Sequence, residues 1–342
     1  MNRVPNLDMA LVNRALKKRL PQYFGPWKAK KTALGQSNPT FILKGKNNNV
    51  VLRRKPDGKL LKSAHMVERE YQVMKTLYNT KVPVPKVFYL CEDITEIGST
   101  YFVMEYMTGH TFPEPELPKL SKEQRSHVYD EMNRGLSELH KISPDKVGLR
   151  GYGRSGNYFQ RQLSIWSRQF EQSFTEKIIE MEILKDWLLQ NIPEQTLIDR
   201  IVHGDWRIDN LIFSKSDFSL KAVVDWELST LGDPRADLAN QIMQWSMPVG
   251  KEGRGLSGLE RKTLGIPEDQ EYIDLYAQRV GLPKAPDLTF AVAFSFFKMG
   301  AILQGVKRRS LDGNASNRDK GILLGKYVKV FAQSALKYLK FD

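Results

Sequence analysis

This sequence of 342 residues contains little cysteine and few long apolar runs. Cys91 is the only cysteine, which excludes an internal disulfide bond and a cysteine-based zinc cluster. No stretch approaches the roughly 20 apolar residues of a transmembrane helix, and the basic segment 1–20 lacks the apolar stretch of a secretory signal. Repeats and low-complexity segments are also missing. These absences favour a protein of the cytoplasm or another reducing intracellular compartment, without a membrane span.

Positive charge is in excess, because Lys plus Arg number 52 and Asp plus Glu 39, for a formal net charge of +13. Such a balance favours anionic partners, including nucleotides, coenzyme A esters, nucleic acid and acidic membranes, although a solvated basic surface is an alternative. The basic residues are spread along the chain, and no tract combines them with the aromatic spacing of a base-stacking surface. We therefore expect no nucleic-acid partner.

Strand-like patterns dominate the first hundred residues. Three strands with intervening turns are predicted over 34–55, one helix over 63–78 with Ser63 as its N-cap, and two further strands over 81–90 and 99–107. The apolar stripe of the helix is expected to contain four residues: Val67, Tyr71, Met74 and Tyr78.

Helical patterns dominate after TGHTFPEPELPKLS, a stretch rich in Pro and Gly. Helices are predicted over 121–141 and 159–191, the latter as one or two, and in three later segments: ADLANQIMQW, DQEYIDLYAQRV and LTFAVAFSFFKMGAILQGVKRR. We therefore expect an α+β fold with a strand-rich lobe, 1–107, a helical lobe, 108–342, and a cleft between them.

The stretch IVHGDWRIDN is followed by NLIFSKSDFSLKAVVDW, whose apolar flanks predict a hairpin. A hairpin centred between Asp217 and Phe218 pairs Asn210 with Asp225, so that both side chains lie beside the loop carrying Asp205. Carboxylate and amide oxygens suit Mg²⁺. The simpler alternative is that each aspartate caps a turn.

The same loop matches the protein-kinase pattern H-R-D-x-x-x-x-N at His203, Asp205 and Asn210, with Gly204 in place of Arg. HGDWRIDNLIF, VVDWELSTLGDPRADLA and VLRRKPDGKLLKSAH resemble the aminoglycoside phosphotransferase and choline kinase-like family. More closely, they resemble the kinase-like domain fused to acyl-CoA dehydrogenases of family members ten and eleven. The similarity runs through nearly the whole chain and implies a bilobal protein-kinase-like fold with ATP and Mg²⁺ as cofactors.

The resemblance assigns roles to residues of this loop and the hairpin. It implies that Asp205 accepts the proton of a hydroxyl group and that Asn210 and Asp225 hold magnesium. Arg207 stabilises the transferred phosphoryl group, or it pairs with a nearby carboxylate (Asp209 or Glu227) and braces the loop.

Arg53 takes the place of the lysine that grips phosphates in the kinase V-A-I-K strand. Glu70 lies at the edge of the apolar stripe of its helix, where a half-buried carboxylate needs a partner, and Arg53 is the expected one. The alternative is a surface Glu70 that pairs with Lys75.

GQSNPT is the expected phosphate-covering turn, in which Ser37, Asn38 and Thr40 donate hydrogen bonds, although it has a single glycine and also suits an ordinary β-turn. MEYM resembles the hinge that contacts adenine, here through Glu105 and Met107; the alternative is a buried edge strand.

Residues around the GDPRADLA stretch are expected to be structural. Asp233 is predicted to cap a helix with Pro234 at its first position, and Asp237 to tie that helix to the His203 loop. His203 is expected to brace the loop rather than act as an acid or a base.

Together these features imply an ATP- and Mg²⁺-dependent small-molecule O-phosphotransferase. The resemblance implies that its acceptor is a hydroxyacyl group such as a 4-hydroxyacyl-CoA. Acceptor specificity is expected in the helical lobe, where Trp166, Gln169 and Trp245 are candidates that also suit a core. The alternatives are a kinase for an aminoglycoside, an amino alcohol or a sugar, and a nucleotide-binding regulatory module without turnover, which Arg53 and the sparse glycines permit.

Overall fold

In the computed structural model, the first part of the chain forms a five-stranded antiparallel sheet. The structure describes residues 7–23, 25–32, 38–56, 66–195, 197–250, 253–313 and 318–341. The sheet order is β1-β2-β3-β5-β4, with strands β1 (Lys28–Lys31), β2 (Thr40–Lys44), β3 (Asn49–Arg54), β4 (Val87–Cys91) and β5 (Tyr101–Glu105). Strand β5 lies between two others, so the edge-strand alternative for MEYM is wrong.

Two helices accompany this sheet, where one was predicted: α1 (Met9–Arg19) and α2 (Val67–Leu77). Helix α1 begins where the Asp8 side chain accepts two backbone N–H groups, and it packs apolar residues onto the sheet core. Helix α2 buries Val67, Glu70 and Met74, whereas Tyr78 lies beyond its end and is 45% exposed, so its place in the stripe is wrong. Ser63, the predicted N-cap, lies outside the described residues.

The predicted hairpin forms from β7 (Leu211–Phe213) and β8 (Leu220–Val223), but its predicted register is wrong by one residue. Leu211 pairs with Val223, and the Val224 N–H donates to the Asn210 carbonyl over 3.0 Å. Asn210 therefore lies opposite Val224 rather than Asp225.

Two local features of the hairpin cause the difference. The Ser214 N–H donates to the Ser219 carbonyl, which centres the turn one residue earlier than predicted. A bulge then places one extra residue, Lys221, between the Phe213–Leu220 and Ile212–Ala222 pairs and recovers half of that shift.

Helices make up most of the remaining chain. The 20-residue α3 begins after Ser121, where the predicted helix starts, and the structure adds a capping box formed by Ser121 and Gln124. Between the helices, a 3-10 turn (Ile208–Asn210) precedes β7, and β6 (Arg200–Val202) pairs with β9 (Thr230–Gly232). The helices are α3 (Lys122–Lys141), α4 (Tyr158–Gln172), α5 (Ile179–Gln190), α6 (Arg235–Trp245), α7 (Arg261–Leu264), α8 (Asp269–Val280), α9 (Thr289–Leu311), α10 (Arg318–Gly325) and α11 (Tyr327–Tyr338).

Helix α9 is the core helix of this part of the chain. It packs against α4, α5, α6, α10 and α11, with ring contacts such as Phe290 and Phe294 against Phe159. An 18-residue window of this 23-residue helix has a mean hydropathy of 1.4, so the helix is long and apolar enough to cross a membrane. However, 61% of that window is buried inside the protein. Burial by neighbouring helices accounts for its apolar composition.

The contacts within the chain define two compact units, and neither is one continuous segment. The first comprises Met1–Thr111, Asp145–Tyr152 and Asn210–Ser229, and therefore contains the sheet and the β7–β8 hairpin. The second comprises Phe112–Pro144, Gly153–Asp209 and Thr230–Asp342. The prediction that the two lobes meet between residues 107 and 108 stays a prediction.

Candidate active site

Arg53 is the centre of a charged cluster in the first unit. Strand β3 carries it into the interior, where its side chain is 6% exposed and its Nε lies 2.8 Å from Oε2 of Glu70 on α2. Its Nη2 lies 2.5 Å from Oδ1 of Asp225 and 3.3 Å from Oε2 of Glu227. The predicted Arg53–Glu70 pair is confirmed, whereas Lys75 lies over the ring of Tyr71 instead.

Among the described residues, three acidic side chains share one guanidinium, so negative charge exceeds positive charge in this cluster even when Glu70 is protonated. Glu70 is 1% exposed, and burial raises its pKa to about 8 against the opposing effect of the Arg53 charge. Asp225 and Glu227 are 25% and 22% exposed, so both carboxylates can still meet solvent or a ligand. The cluster can thus accept a further cation.

The backbone at Asp225 sets the direction of its side chain. This residue follows β8 with a φ of 67°, a left-handed conformation that only a few residue types, aspartate among them, adopt readily. The backbone is no longer extended at this residue. As a result, the Asp225 carboxylate accepts a hydrogen bond from Arg53 instead of facing Asn210 across the hairpin.

Magnesium is the metal that this donor set suits. Asp225 and Glu227 offer hard carboxylate oxygens beside Arg53. Asn210, the other predicted ligand, is 7% exposed and hydrogen-bonds to Val224 through its backbone carbonyl, so its part in a metal site stays a prediction. Among the described residues, no three His, Cys, Asp or Glu side chains form a metal-binding group. Magnesium needs fewer protein ligands than that, because it usually keeps waters and shares substrate phosphates.

The residues predicted to cover the phosphates lie beside the same cluster. Asn38 donates to Glu227 Oε2 over 3.2 Å, and Thr40 accepts a hydrogen bond from Arg53 Nη1 over 3.4 Å. Ser37 lies outside the described residues. The structure therefore joins Asn38 and Thr40 to the Arg53 cluster through hydrogen bonds.

The predicted hinge residues lie at the end of β5. Glu105 ends the strand, is exposed, and uses its backbone N–H in a 2.8 Å bond to the Lys86 carbonyl. Met107 follows two residues later and is half-buried. Their contact with adenine stays a prediction.

The loop that carries Asp205 is fixed by a buried aspartate of the second unit. Asp237, on the first turn of α6, accepts the backbone N–H groups of His203 and Gly204, each over 2.7 Å. Gly204 has a φ of 82°, which explains why glycine replaces the arginine of the kinase pattern. The predicted role of Asp237, tying the helix to the loop, is confirmed.

Two histidines complete this buried network. His140 on α3 lies 3.2 Å from Asp237 through Nε2, and its Nδ1 hydrogen-bonds with the Tyr276 hydroxyl at 2.7 Å. His203 is fully buried and accepts the Asp205 N–H at Nδ1 over 3.3 Å, so it braces the loop as predicted. Burial alone would raise the pKa of Asp237, but the hydrogen bond and charge from His140, together with the His203 donor, hold it below its usual range.

Asp205 lies in an ion-pair chain with Arg207. The Asp205 side chain is 21% exposed, and its Oδ1 is 3.0 Å from Arg207 Nε. Arg207 also lies 3.5 Å from Asp209, which pairs more closely with Arg254 at 2.6 Å. The Asp209 contact expected of a bracing arginine is present, while a catalytic role for Arg207 stays a prediction.

The predicted acceptor residues differ in exposure. Trp245 is 2% exposed and packs edge-on against Tyr129 and Tyr272, so it belongs to the core. Gln169 is exposed, and Trp166 is half-buried with the Lys298 ammonium 5.9 Å from its ring centroid.

Three residues of these networks were missed by sequence reasoning as site residues: Glu227, His140 and Lys298. Glu227 had a detectable signal, because it is a second carboxylate only two residues after Asp225. Lys298 had one as well, because it is the lone charge in the apolar stretch TFAVAFSFFKMGAILQG. His140 had none, since a single histidine on a helix usually packs in a core.

Comparison with known proteins shows the family and the fold of the chain. The model of the phosphotransferase enzyme family matches residues 28–261. Mouse acyl-CoA dehydrogenase family member 10 is 41% identical over 315 residues, covering 90% of this chain and 29% of that protein. A crystal structure from Ralstonia eutropha, assigned to the aminoglycoside phosphotransferases, is 39% identical with a TM-score of 0.85 and covers 98% of both chains.

A more distant structure shows the fold alone. Aminoglycoside phosphotransferase APH(4)-Ia, solved as a thermostable mutant with ADP and hygromycin B, is 13% identical with a TM-score of 0.63, covering 97% of this chain and 99% of that one. The chain spans 29% of the length of the mouse relative, so the match concerns one part of that protein. With the family model matching over most of its length, the chain belongs to the phosphotransferase enzyme family and has the kinase-like α+β fold of the aminoglycoside phosphotransferases.

Proposed function

We propose that the protein transfers the γ-phosphoryl group of ATP to the hydroxyl group of a small molecule, with magnesium as cofactor. The observation that carries this proposal is the buried Arg53, which is held by Glu70 and lies against two partly exposed carboxylates, Asp225 and Glu227. Such an arrangement provides both a fixed cation for phosphate oxygens and a negative surface for a metal ion.

The first unit supplies the nucleotide contacts in this proposal. Arg53 offers a planar donor fork that can bridge two phosphate oxygens, and Glu70 keeps that fork in one orientation. Asn38 and Thr40 lie within hydrogen-bonding distance of the same cluster and would contact phosphate. Asp225 and Asn210 would hold the magnesium ion, which neutralises charge on the phosphates when bound. Glu105, at the exposed end of β5, and the half-buried Met107 beyond it would contact adenine.

Asp205 of the second unit would act on the acceptor. Its carboxylate takes the proton of the acceptor hydroxyl, the hydroxyl oxygen forms the new bond to the γ-phosphorus, and the bond from that phosphorus to the β–γ bridging oxygen breaks. ADP leaves with the electron pair of the broken bond. Arg207, which lies 3.0 Å from Asp205, would stabilise the charge that develops on the transferred group.

For the acceptor we propose a hydroxyacyl group, such as a 4-hydroxyacyl-CoA. The 41% identity to an acyl-CoA dehydrogenase family member supports an acyl thioester, because the two activities would then act on related molecules. The net charge of +13 also favours an anionic acceptor over a polycation. The likeness to a protein assigned to the aminoglycoside phosphotransferases favours an aminoglycoside as the second candidate.

The test is a screen for phosphorylated product by mass spectrometry. The protein is incubated with ATP and magnesium and with one acceptor from each class: a 4-hydroxyacyl-CoA, an aminoglycoside, an amino alcohol and a sugar. We expect product with the hydroxyacyl-CoA, and loss of that product when EDTA replaces magnesium or Asp205→Asn replaces the wild type.

Two outcomes would contradict the proposal. Product from the aminoglycoside alone would keep the phosphotransferase and change the acceptor. ATP binding without product from any acceptor would instead indicate a nucleotide-binding regulatory module.

A further inference from the structure

Lys298 is a charged residue on the core helix α9, at a position where both neighbours in the chain are apolar. Its ammonium donates to the carbonyl oxygen of Gly204, the residue directly before Asp205. The ring of Trp166 lies beneath the same ammonium, with its centroid 5.9 Å from Nζ. Lys298 therefore places a positive charge beside the proposed proton acceptor.

The Lys298 ammonium has more hydrogen-bond donors than the described residues provide acceptors for. An ammonium has three donors, and the Gly204 carbonyl takes one of them. No carboxylate among the described residues forms an ion pair with Lys298, although the charges of Asp205 and Asp237 act on it from a greater distance. Burial lowers the pKa of Lys298, and these two carboxylates oppose that effect. The side chain is nevertheless partly exposed.

A partly buried ammonium with spare donors suits an oxygen ligand. Water could accept hydrogen bonds from these donors equally well. However, Lys298 is bonded to Gly204, the residue before Asp205, and packs on an aromatic ring, so a ligand bound to its ammonium would lie at a fixed position relative to Asp205. A ligand with a cationic group would instead be repelled by Lys298 and by Arg207, which also lies next to Asp205.

We propose that Lys298 is an acceptor-binding residue, and that its ammonium receives a carbonyl or carboxylate oxygen that the acceptor carries a few atoms from its reacting hydroxyl. This inference rests on the proposed function and narrows its acceptor to hydroxy acids and their thioesters. Binding of that oxygen orients the hydroxyl towards Asp205, so Lys298 selects the acceptor without taking part in proton transfer.

Three matched acceptors test this inference: 4-hydroxypentanoyl-CoA, the thioether in which a methylene replaces its carbonyl, and free 4-hydroxypentanoate. For Lys298→Met we expect kcat/KM for the thioester to fall about 10- to 100-fold, as when a hydrogen bond to a charged group is lost. The loss should lie in KM, and the thioether should be affected little. Lys298→Arg should recover part of the loss, and Lys298→Gln serves if the Met variant does not fold.

Lys307→Met is the control on the same helix, because Lys307 lies further towards the end of the helix and pairs with Glu176 rather than with the Asp205 loop. It should leave the preference for the thioester over the thioether unchanged. An equal loss for both acceptors in the Lys298 variants, carried by kcat, would show that Lys298 merely supports the loop and would overturn the inference. A higher kcat/KM for the free acid than for the thioester would identify the carboxylate as the bound oxygen, and the reverse order the thioester carbonyl.

Equilibrium binding separates this inference from the proposed function. Calorimetric titration of 4-hydroxypentanoate and 4-hydroxypentanoyl-CoA needs no turnover. If the wild type binds either one at least tenfold more tightly than Lys298→Met does, the inference stands even where no acceptor is phosphorylated. Equal affinities in the two proteins would refute it, even where the wild type proves to be a kinase.

Discussion

Asp237 and Asp225 are two aspartates with opposite surroundings. Asp237 is fully buried and receives two backbone N–H groups and a histidine. Asp225 is 25% exposed, has a left-handed backbone, and shares Arg53 with two other carboxylates. The first carboxylate is matched by donors of the protein itself, whereas the second belongs to a cluster with surplus negative charge.

This difference indicates that the Asp237 carboxylate stabilises the fold, whereas the Asp225 carboxylate can bind a ligand. A buried carboxylate with complete hydrogen bonds stabilises one conformation, here that of the His203–Asp205 loop. A cluster with more carboxylates than cations gains from a further cation, and the partial exposure of Asp225 and Glu227 leaves room for one. The substitutions below test this division.

Removing Asp237 should have the largest effect. Asp237→Ala leaves two buried backbone N–H groups and His140 without their acceptor, so we expect the free energy of unfolding to fall by roughly 3–5 kcal/mol. Asp225→Ala should change it by less than about 1 kcal/mol, because Glu227 still compensates the charge of Arg53. Urea denaturation of both variants measures the contrast, and similar losses of stability in the two would break it.

Asp205→Asn should have the next largest effect, on catalysis alone. The amide keeps the shape of the side chain but cannot accept the hydroxyl proton, so turnover should fall by at least ~10²-fold. Nucleotide affinity and stability should change little. Asp186→Asn, at an exposed position of α5, is the matched control and should turn over like the wild type. Near-normal turnover by Asp205→Asn would remove this residue from the catalytic role.

Arg53→Lys should have a smaller effect, on the nucleotide. Lysine keeps the charge but loses the planar fork, so KM for ATP should rise about tenfold, or ~1.4 kcal/mol. The control is Arg54→Lys on the same strand, since Arg54 donates to the Lys55 carbonyl. Steady-state kinetics at varied ATP compares the two. An unchanged KM in the Arg53 variant would mean that its guanidinium does not contact phosphate.

Local patterns in the sequence predicted much of the fold and one contact of the site. The capping box at Ser121 fixed the start of α3, because its donors and acceptors lie within four residues. The Arg53–Glu70 pair followed from the placement of Glu70 at the edge of an apolar stripe, where a carboxylate needs a partner. The helix cap of α6 was displaced by one residue, since Pro234 occupies the cap while Asp233 accepts the Arg235 N–H.

Other contacts depend on information that local patterns do not carry. The hairpin turn is centred one residue earlier than predicted, and the bulge at Lys221 recovers only half of that shift, so Asn210 does not pair with Asp225. Lys298 meets Gly204 across 94 residues of sequence, so only the folded second unit brings them together. The charge surplus around Arg53 depends in the same way on three separate segments.

The central claim is that Asp225, unlike Asp237, is a ligand for a cation. The direct measurement is a magnesium titration of activity and of ATP binding in Asp225→Ala, Asn210→Ala and Asp217→Ala. Asp217 accepts hydrogen bonds from Ser219 in the hairpin turn and serves as the control. Asp225→Ala should need more magnesium for half-maximal activity and bind ATP more weakly, Asn210→Ala should show a milder form because an amide is a weaker ligand, and Asp217→Ala should match the wild type. A magnesium requirement unchanged in the Asp225 and Asn210 variants would contradict the claim.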